Sequence, residues 1–356
     1  RLLGYPCYDE GSKGGFTFHE DNPLPYDIII IDEISMINGF LFLSLIRAIK
    51  DGAKVVLLGD IGQLESIGEC NIAFDIINSP EIPTIELDQI YRQAMGSAVI
   101  TESRKARRGT QLVDDGWTGV KTLGDLQDLT IDSYSDGSNT FYKVMQYFQE
   151  NISSVKSIMD LQIISPVRDK GQSSCWEINT SVQELYNPMD DTKKEVSVFY
   201  KKGNIGILRE GDKVINVKNN YKTKNTSGRV TPIFNGNLGM VEEILDDGNI
   251  VVGFEDIGSV VIEKRNLKSI ELAYAITCHK MQGSQAERVI FALDFSMYKL
   301  LSRELVYTAI TRAQKYCVMV CQNSALRYAI HQEGVNRKTT HLQDCLYEIT
   351  HPTLDF

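Results

Sequence analysis

The chain has 356 residues, of which 42% are apolar and 24% charged, with a formal net charge of −10. That is long enough for two or three domains with sizeable cores, in a composition ordinary for a water-soluble globular protein. No apolar run approaches membrane-spanning length, the opening RLLGYPCYDEG is not a secretory signal, and the negative balance argues against bulk attraction to nucleic acid while leaving room for a local basic groove. Cys7, Cys70, Cys175, Cys278, Cys317, Cys321 and Cys345 are scattered without a CxxC pair. Neither a zinc site nor a disulfide framework is indicated, and a reducing cytosol fits best. Arg1 opens the chain without a methionine, inside what reads as a structured segment, so a piece of a longer polypeptide is expected.

Residues 1–25 are rich in Gly and Pro and read as loop with short strands. Ile28–Ile31 is an uninterrupted β-branched run, the pattern of a strand buried on both faces of a parallel sheet. Asp32 and Glu33 follow at once, where α/β sheets bind ligands beyond the carboxyl ends of their strands. Phe40–Ile49 reads as a mostly buried helix, closed by Asp51–Gly52, and Val55–Leu58 as the next strand, ending in Gly59 and Asp60. This is a βαβ unit, so both strands should be parallel and Asp32, Glu33, Asp60 and Gln63 should face one crevice.

Ala98–Arg108 is helical and ends in a basic cluster. Residues 110–140 are polar with weak strands, Phe141–Asn151 is a helix and Leu161–Ser165 a buried strand. From about Val196 to Lys268 the texture changes to short strands (213–217, 240–244, 250–254, 259–262) separated by Asn-Gly and Asp-Gly turns. That spacing predicts a small antiparallel barrel or sheet. The α/β pattern then returns, with strands at Val289–Leu293 and Cys317–Cys321 around a helix at Ser302–Arg312.

Several segments, taken in order, resemble the motifs of RecD-like superfamily 1 helicases, which move 5′ to 3′ on DNA. YDIIIIDEIS (26–35) resembles the Walker B motif, LLGDIGQLESIG (57–68) motif III and QIYRQA (89–94) motif IV. LAYAITCHKMQGSQ (272–285) resembles motif V and LVYTAITRAQK (305–315) motif VI. ISPVRDKG (164–171) and GDKVINVKNNY with FNGNLG (211–221, 234–239) resemble further segments of the family. The resemblance implies tandem RecA-like P-loop NTPase domains of α/β class, with a small SH3-like β-barrel inserted in the second. The implied boundaries are 1–90 for the end of the first domain, 91–195 and 269–356 for the second, and 196–268 for the insertion.

It also implies ATP and Mg²⁺ as cofactors, and single-stranded DNA or single-strand–duplex junctions as partners, with no membrane involved. Asp32 would hold the metal and Glu33 activate water. Gln63, Arg92 and Arg312 would read the γ-phosphate, a planar guanidinium suiting the charge spread over the transferring oxygens. Asp60, Gly283 and Gln285 would face the nucleotide. Thr277, His279 and Lys280 would contact the DNA strand, as would Asn219, Asn220 and Tyr221 at the start of the basic loop NNYKTKNTSGR. The plainer alternatives are a satisfied core or surface histidine at 279 and a solvated hairpin tip at 219–229.

Four departures from the family pattern stand out. No GxxxxGK[ST] occurs in the chain, so these residues alone should bind ATP poorly. Gln285 stands where the family has Glu, and Glu65 where it commonly has Pro. The family's upstream single-strand contacts are missing with the P-loop. Two other readings stay open: a non-catalytic nucleic-acid-binding remnant of a helicase, and a superfamily 1 RNA helicase.

Overall fold

A computed structural model describes residues 2–4, 15–87, 95–200, 203–334, 338 and 340–351. The chain divides into two compact units, residues 1–91 with 333–356, and residues 92–332. The segment expected to run continuously over 269–356 is thus shared between the two units at Gln332.

In the first unit, β1 (Ile28–Ile31) pairs in parallel with β2 (Lys54–Leu57), Ile31 opposite Leu57. Between them runs α1 (Gly39–Arg47), and α2 (Ile72–Ile77) follows. Asn38 starts α1 by accepting a hydrogen bond from the Leu41 amide at 2.9 Å. Such a cap satisfies one of the orphan amides of the first turn. Asn38→Ala should therefore cost about 1 kcal/mol, seen as faster hydrogen exchange at the amides of that turn; unchanged exchange would show that the cap contributes nothing.

Two expectations fail here. Ile29 and Ile31 are buried with Leu24, Leu45, Ala48 and Ala73, but Ile28 and Ile30 are 61% and 63% exposed. The strand is covered on one face, not two. Likewise α1 buries only Leu45 fully, and Phe40 is 74% exposed. The sheet beside which both apolar surplus faces lie has only these two strands among the described residues. Lys338 and Thr340 tie the helix Leu342–Thr350 to this unit, Lys338 Nζ donating to the Ser66 and Cys70 carbonyls and Thr340 Oγ1 to Asp75 at 2.7 Å.

The second unit opens with α3 (Ala98–Arg107), then β3 (Gly119–Leu123), β4 (Leu129–Tyr134), α4 (Thr140–Ile152), β5 (Leu161–Ile164) and α5 (Cys175–Tyr186). β6 (Glu195–Phe199) and β7 (Ile205–Arg209) form a hairpin. β8 (Lys213–Asn216), β9 (Lys224–Asn225), β10 (Leu238–Ile244), β11 (Ile250–Phe254), β12 (Gly258–Ile262) and β13 (Ile270–Leu272) make an antiparallel six-stranded sheet. The chain then returns through β14 (Ala275–Ile276), α6 (Cys278–Met281), β15 (Ala286–Leu293), α7 (Arg303–Ile310), β16 (Ala313–Gln322) and α8 (Asn323–His331).

These later strands build a second sheet in the order β14-β5-β15-β16-β4-β3, parallel except for β3. The fold is mixed α/β, with the antiparallel strands falling in sequence between β5 and β14 of the parallel sheet. No helix among the described residues is long and apolar enough to cross a membrane.

β4 is a correction. Its polar composition reads as a weak strand, yet Leu129–Ser133 are all buried in the parallel sheet. Each polar group there has a partner: Thr130 meets the Tyr316 hydroxyl at 2.8 Å, Asp132 accepts from Tyr147 and from Lys143, and Ser133 donates to the Trp117 carbonyl. A satisfied polar side chain is tolerated inside where an unsatisfied one is not.

The joint between the two sheets is also polar and buried. Asp212, ahead of β8, accepts from Arg209 N (2.7 Å), Asn187 Nδ2 (2.7 Å), Gln183 Nε2 (2.5 Å) and Tyr274 Oη (2.9 Å). Burial raises its pKa, opposed by those hydrogen bonds. Beside it, the fully buried Lys213 donates to the carbonyls of Ile158, Met159 and Leu161.

Candidate nucleotide and nucleic-acid sites

The parallel β1–β2 pairing continues one residue past the strands, with Leu58 N donating to Ile31 O (2.8 Å) and Ile34 N to Leu58 O (2.9 Å). Asp32, Glu33 and Asp60 therefore leave one edge of the sheet together. Glu33 adopts φ 55°, a left-handed conformation uncommon for a residue with a Cβ. Its amide donates to Asp32 Oδ1 at 2.8 Å, and its carbonyl accepts from Met36 N at 2.9 Å. This bend turns the chain sharply at the strand end, and backbone strain of this kind concentrates at functional sites. Gly59 lets the neighbouring turn pass: a Cβ there would sit 2.5 Å from Ile34 Cγ2.

Asp60 shapes the following turn, its Oδ1 accepting from Gly62 N at 2.8 Å and its carbonyl from Gln63 N at 3.2 Å. Gln63 Oε1 is buried and has no hydrogen-bond partner among the described residues. Buried acceptors are nearly always engaged, so this oxygen carries a hydrogen-bonding demand that the described residues leave unmet. Arg92, expected from the resemblance to read the γ-phosphate, lies outside the described residues.

Arg312, Gly283 and Gln285 come together in the second unit. The register Ala286–Ala313 puts the starts of β15 and β16 side by side, and Ala286 N donates to Arg312 O at 3.0 Å. Arg312 is only 5% exposed. Its guanidinium donates to Thr308 O (3.2 Å), Ser284 O (3.2 Å) and Thr311 Oγ1 (3.3 Å). Gly283, at φ 73°, makes the turn that presents Ser284, and Gly283 and Gln285 are exposed. The arginine thus braces the 272–285 segment against the 305–315 segment. This cluster sits at the amino ends of the parallel strands, away from the carboxyl ends where Thr277 lies.

Thr277 follows β14, and Lys280 N and Met281 N both donate to its carbonyl. The four-residue α6 so formed buries Cys278 and Met281 and runs from the carboxyl edge of the sheet towards the Ser284 turn. Burial pushes the Cys278 thiol up to about 12, so it is an inert packing group.

A groove of about 1370 Å³ runs between this carboxyl edge and the antiparallel sheet, wholly within the second unit. Thr277 and Lys280 line it from one side, Asn219 and Asn220 from the other. The predicted residues His279 and Tyr221 are not in its lining. Tyr221 packs edge-on against Phe234 at 6.1 Å, and its hydroxyl accepts from Asn219 Nδ2 at 3.2 Å. Asn219 Oδ1 in turn accepts from Asn235 N at 2.8 Å, so these residues shape the loop end as much as they face the groove.

Sequence reading missed Arg168, Trp176, Tyr200 and Glu271, which also line the groove. Arg168 had a signal: it follows the carboxyl end of β5, the rule already applied to Asp32. Trp176 and Tyr200 meet edge to face at 5.9 Å, and the Tyr200 hydroxyl donates to Ile270 O at 2.7 Å. Seven lining residues are Lys or Arg (168, 218, 222, 224, 265, 268, 280) against four Asp or Glu (169, 184, 263, 271). An acidic chain has gathered a net positive surface at one place. Lysines, amides and aromatic rings along a groove suit a flexible polyanion carrying planar bases.

Comparison with known proteins adds an independent line. A UvrD-like helicase C-terminal domain matches residues 272–320, and an AAA domain matches residues 16–126. The ATP-dependent RecD2 DNA helicase of Deinococcus radiodurans is 30% identical over 344 residues, covering 96% of this chain and 42% of that protein. The RecBCD enzyme subunit RecD of Mycolicibacterium smegmatis is 26% identical over 354 residues, covering 94% and 56%. The chain spans about half the length of these curated relatives. Among solved structures, a Bacteroides Pif1 helicase in complex with ADP-AlF3 and ssDNA matches with a TM-score of 0.50 at 18% identity, covering 85% of this chain and 72% of that one. At that identity the likeness is one of fold.

Proposed function

The chain is a relative of the RecD-like superfamily 1 helicases, and from that premise we propose that it is part of an ATP-driven motor moving 5′ to 3′ on single-stranded DNA. The observation that carries this reading is the groove: a net positive lining in an acidic protein, with Lys280 and Thr277 of the motif V segment on its wall. On this reading the antiparallel sheet over 213–272 corresponds to the SH3-like insertion expected at 196–268, and the second RecA-like domain ends near Gln332, short of the expected 356. A strand would lie along the groove with its phosphates on the lysines and its bases free to stack, without sequence preference.

The nucleotide chemistry would rest on the acidic edge of the first unit. Asp32 would hold the Mg²⁺ of a bound Mg²⁺–ATP. Among the described residues no three His, Cys, Asp or Glu side chains form a metal cage. One carboxylate suffices on this reading because Mg²⁺ takes most of its oxygens from phosphate and water. When bound, the ion neutralises charge developing on the transferring phosphoryl group. Glu33 would take the proton of the attacking water, and Gln63 would orient that water through its orphan Oε1. Arg312 would serve the γ-phosphate only after trading Thr308, Ser284 and Thr311 for phosphate oxygens. The phosphate-cradling GxxxxGK[ST] segment is not among these 356 residues and would have to be supplied by further polypeptide.

The test is binding of a labelled oligothymidylate at several salt concentrations. Lys222→Gln with Lys224→Gln should weaken binding and flatten the salt dependence of log Kd by about 0.7 per lysine that meets a phosphate. Wild-type protein that does not bind, or a double variant with an unchanged slope, would take the strand out of this groove. Equal affinity for oligouridylate would keep the groove and remove the DNA preference.

A further inference from the structure

We infer that Glu271 is a built-in competitor for the strand: its carboxylate occupies, between Arg168 and Lys280, the place that a backbone phosphate would take. This rests on the groove reading above and adds to it a residue that sets affinity and salt sensitivity.

Glu271 lies in β13, paired opposite Ile215 of β8, at the edge of the antiparallel sheet. Its Oε1 accepts from Arg168 Nη2, which comes from the loop after β5. Its Oε2 accepts from Lys280 Nζ at 3.0 Å, which comes from α6. Three separate chain segments thus meet at one carboxylate, and all three residues line the groove. Arg168 also faces Asp169 Oδ1 at 3.4 Å, so this corner holds two carboxylates for two cations and is locally neutral.

A guanidinium and an ammonium converging on two oxygens of one anion is also how proteins hold a phosphodiester. A phosphate cannot engage both cations while Glu271 keeps them. The strand must displace the carboxylate, leaving it beside a new negative charge, or pass this corner without gaining from it. Both outcomes lower affinity relative to a groove with a neutral residue at 271. The carboxylate is also one tie between the antiparallel sheet and the parallel one at the groove, beside the buried ties of Asp212 and Lys213 that displacement leaves in place.

Glu271→Gln keeps the size and one acceptor oxygen while removing the charge. It should tighten oligothymidylate binding about tenfold at low salt and steepen the salt dependence of log Kd by about 0.7, one additional phosphate contact. The steeper slope is the discriminating readout, because loss of a purely structural brace would weaken binding or leave the slope unchanged. The gain should disappear when Arg168→Gln and Lys280→Gln are added. If Glu271→Gln fails to fold, Glu271→Asp, too short to reach both cations, should show a smaller shift of the same sign. A folded Gln or Asp variant with unchanged or weaker binding and the wild-type slope overturns the inference. Wild-type protein that binds no oligothymidylate at all overturns the groove reading instead.

Discussion

Lys213→Ala should lower the stability of the 92–332 unit by about 3–5 kcal/mol, read as a fall in the urea midpoint. The side chain is fully buried, and its Nζ donates to Leu161 O (2.9 Å), Ile158 O (3.1 Å) and Met159 O (3.4 Å). These carbonyls belong to the short helical turn before β5 and to the first residue of β5, so one amino group closes the parallel sheet onto β8. Alanine would leave a cavity and three acceptors without their donor, which is the expensive direction of hydrogen-bond loss. Lys213→Met, which refills most of the volume, should recover part of the loss but not the hydrogen bonds. A loss under about 1 kcal/mol for alanine would show that water replaces the ammonium without penalty.

The same group predicts a pH dependence. Burial brings the Lys213 pKa down to about 7, against the opposing pull of Glu255 and Asp160. Between that value and the ordinary lysine value, the unfolded chain holds the proton and the folded chain does not. Stability therefore rises with pH across this window, by up to about 1.4 kcal/mol per unit from this group. Cys175, Cys278, Cys317 and Cys321, all pushed up to about 12 by burial, act oppositely above their unfolded value near 9. The rise is therefore to be read between pH 7 and 9. It should be missing from Lys213→Met; an identical slope in that variant would assign the effect elsewhere.

Glu33→Gln should reduce nucleic-acid-stimulated ATP hydrolysis by about 10²- to 10⁴-fold, the usual contribution of a general base. The assay needs a protein that carries the phosphate-binding loop. The amide keeps the shape at a position whose backbone is already held at φ 55°, so folding and strand binding should be unaffected. Hydrolysis within a few fold of wild type would remove Glu33 from the proposed chemistry. Loss of strand binding as well would mean that the substitution had disturbed the fold of the edge.

Part of this protein was legible in its sequence for physical reasons. A β-branched run stopped by Asp32 and Glu33, a helix, and a second run stopped by Gly59 and Asp60 can pair in parallel with their ends on one edge, and they do. The Asn-Gly and Asp-Gly turns likewise marked β10 and β11 within a residue or two. What hydrophobic pattern cannot say is which partner meets a demand for burial. Ile28 and Ile30 carry that demand and remain exposed. β4 shows the converse, since Thr130, Asp132 and Ser133 are buried because distant residues satisfy them. Residue type pointed to Arg312, but the direction of its guanidinium depends on a loop 28 positions away. Arg168 and Glu271 are 103 positions apart, beyond the reach of any local period.

α6 has one more consequence. It is the shortest covalent route from the wall of the groove to the turn that holds Arg312, and it is a single helical turn of four residues, about 6 Å long. A long helix can bend gradually or fray from one end, and so pass on a fraction of any displacement. One turn pinned by buried Cys278 and Met281 has no such intermediate shapes: it shifts whole or it unwinds. Whatever travels along this stretch of backbone travels as a discrete event, closer to an escapement tooth than to a spring.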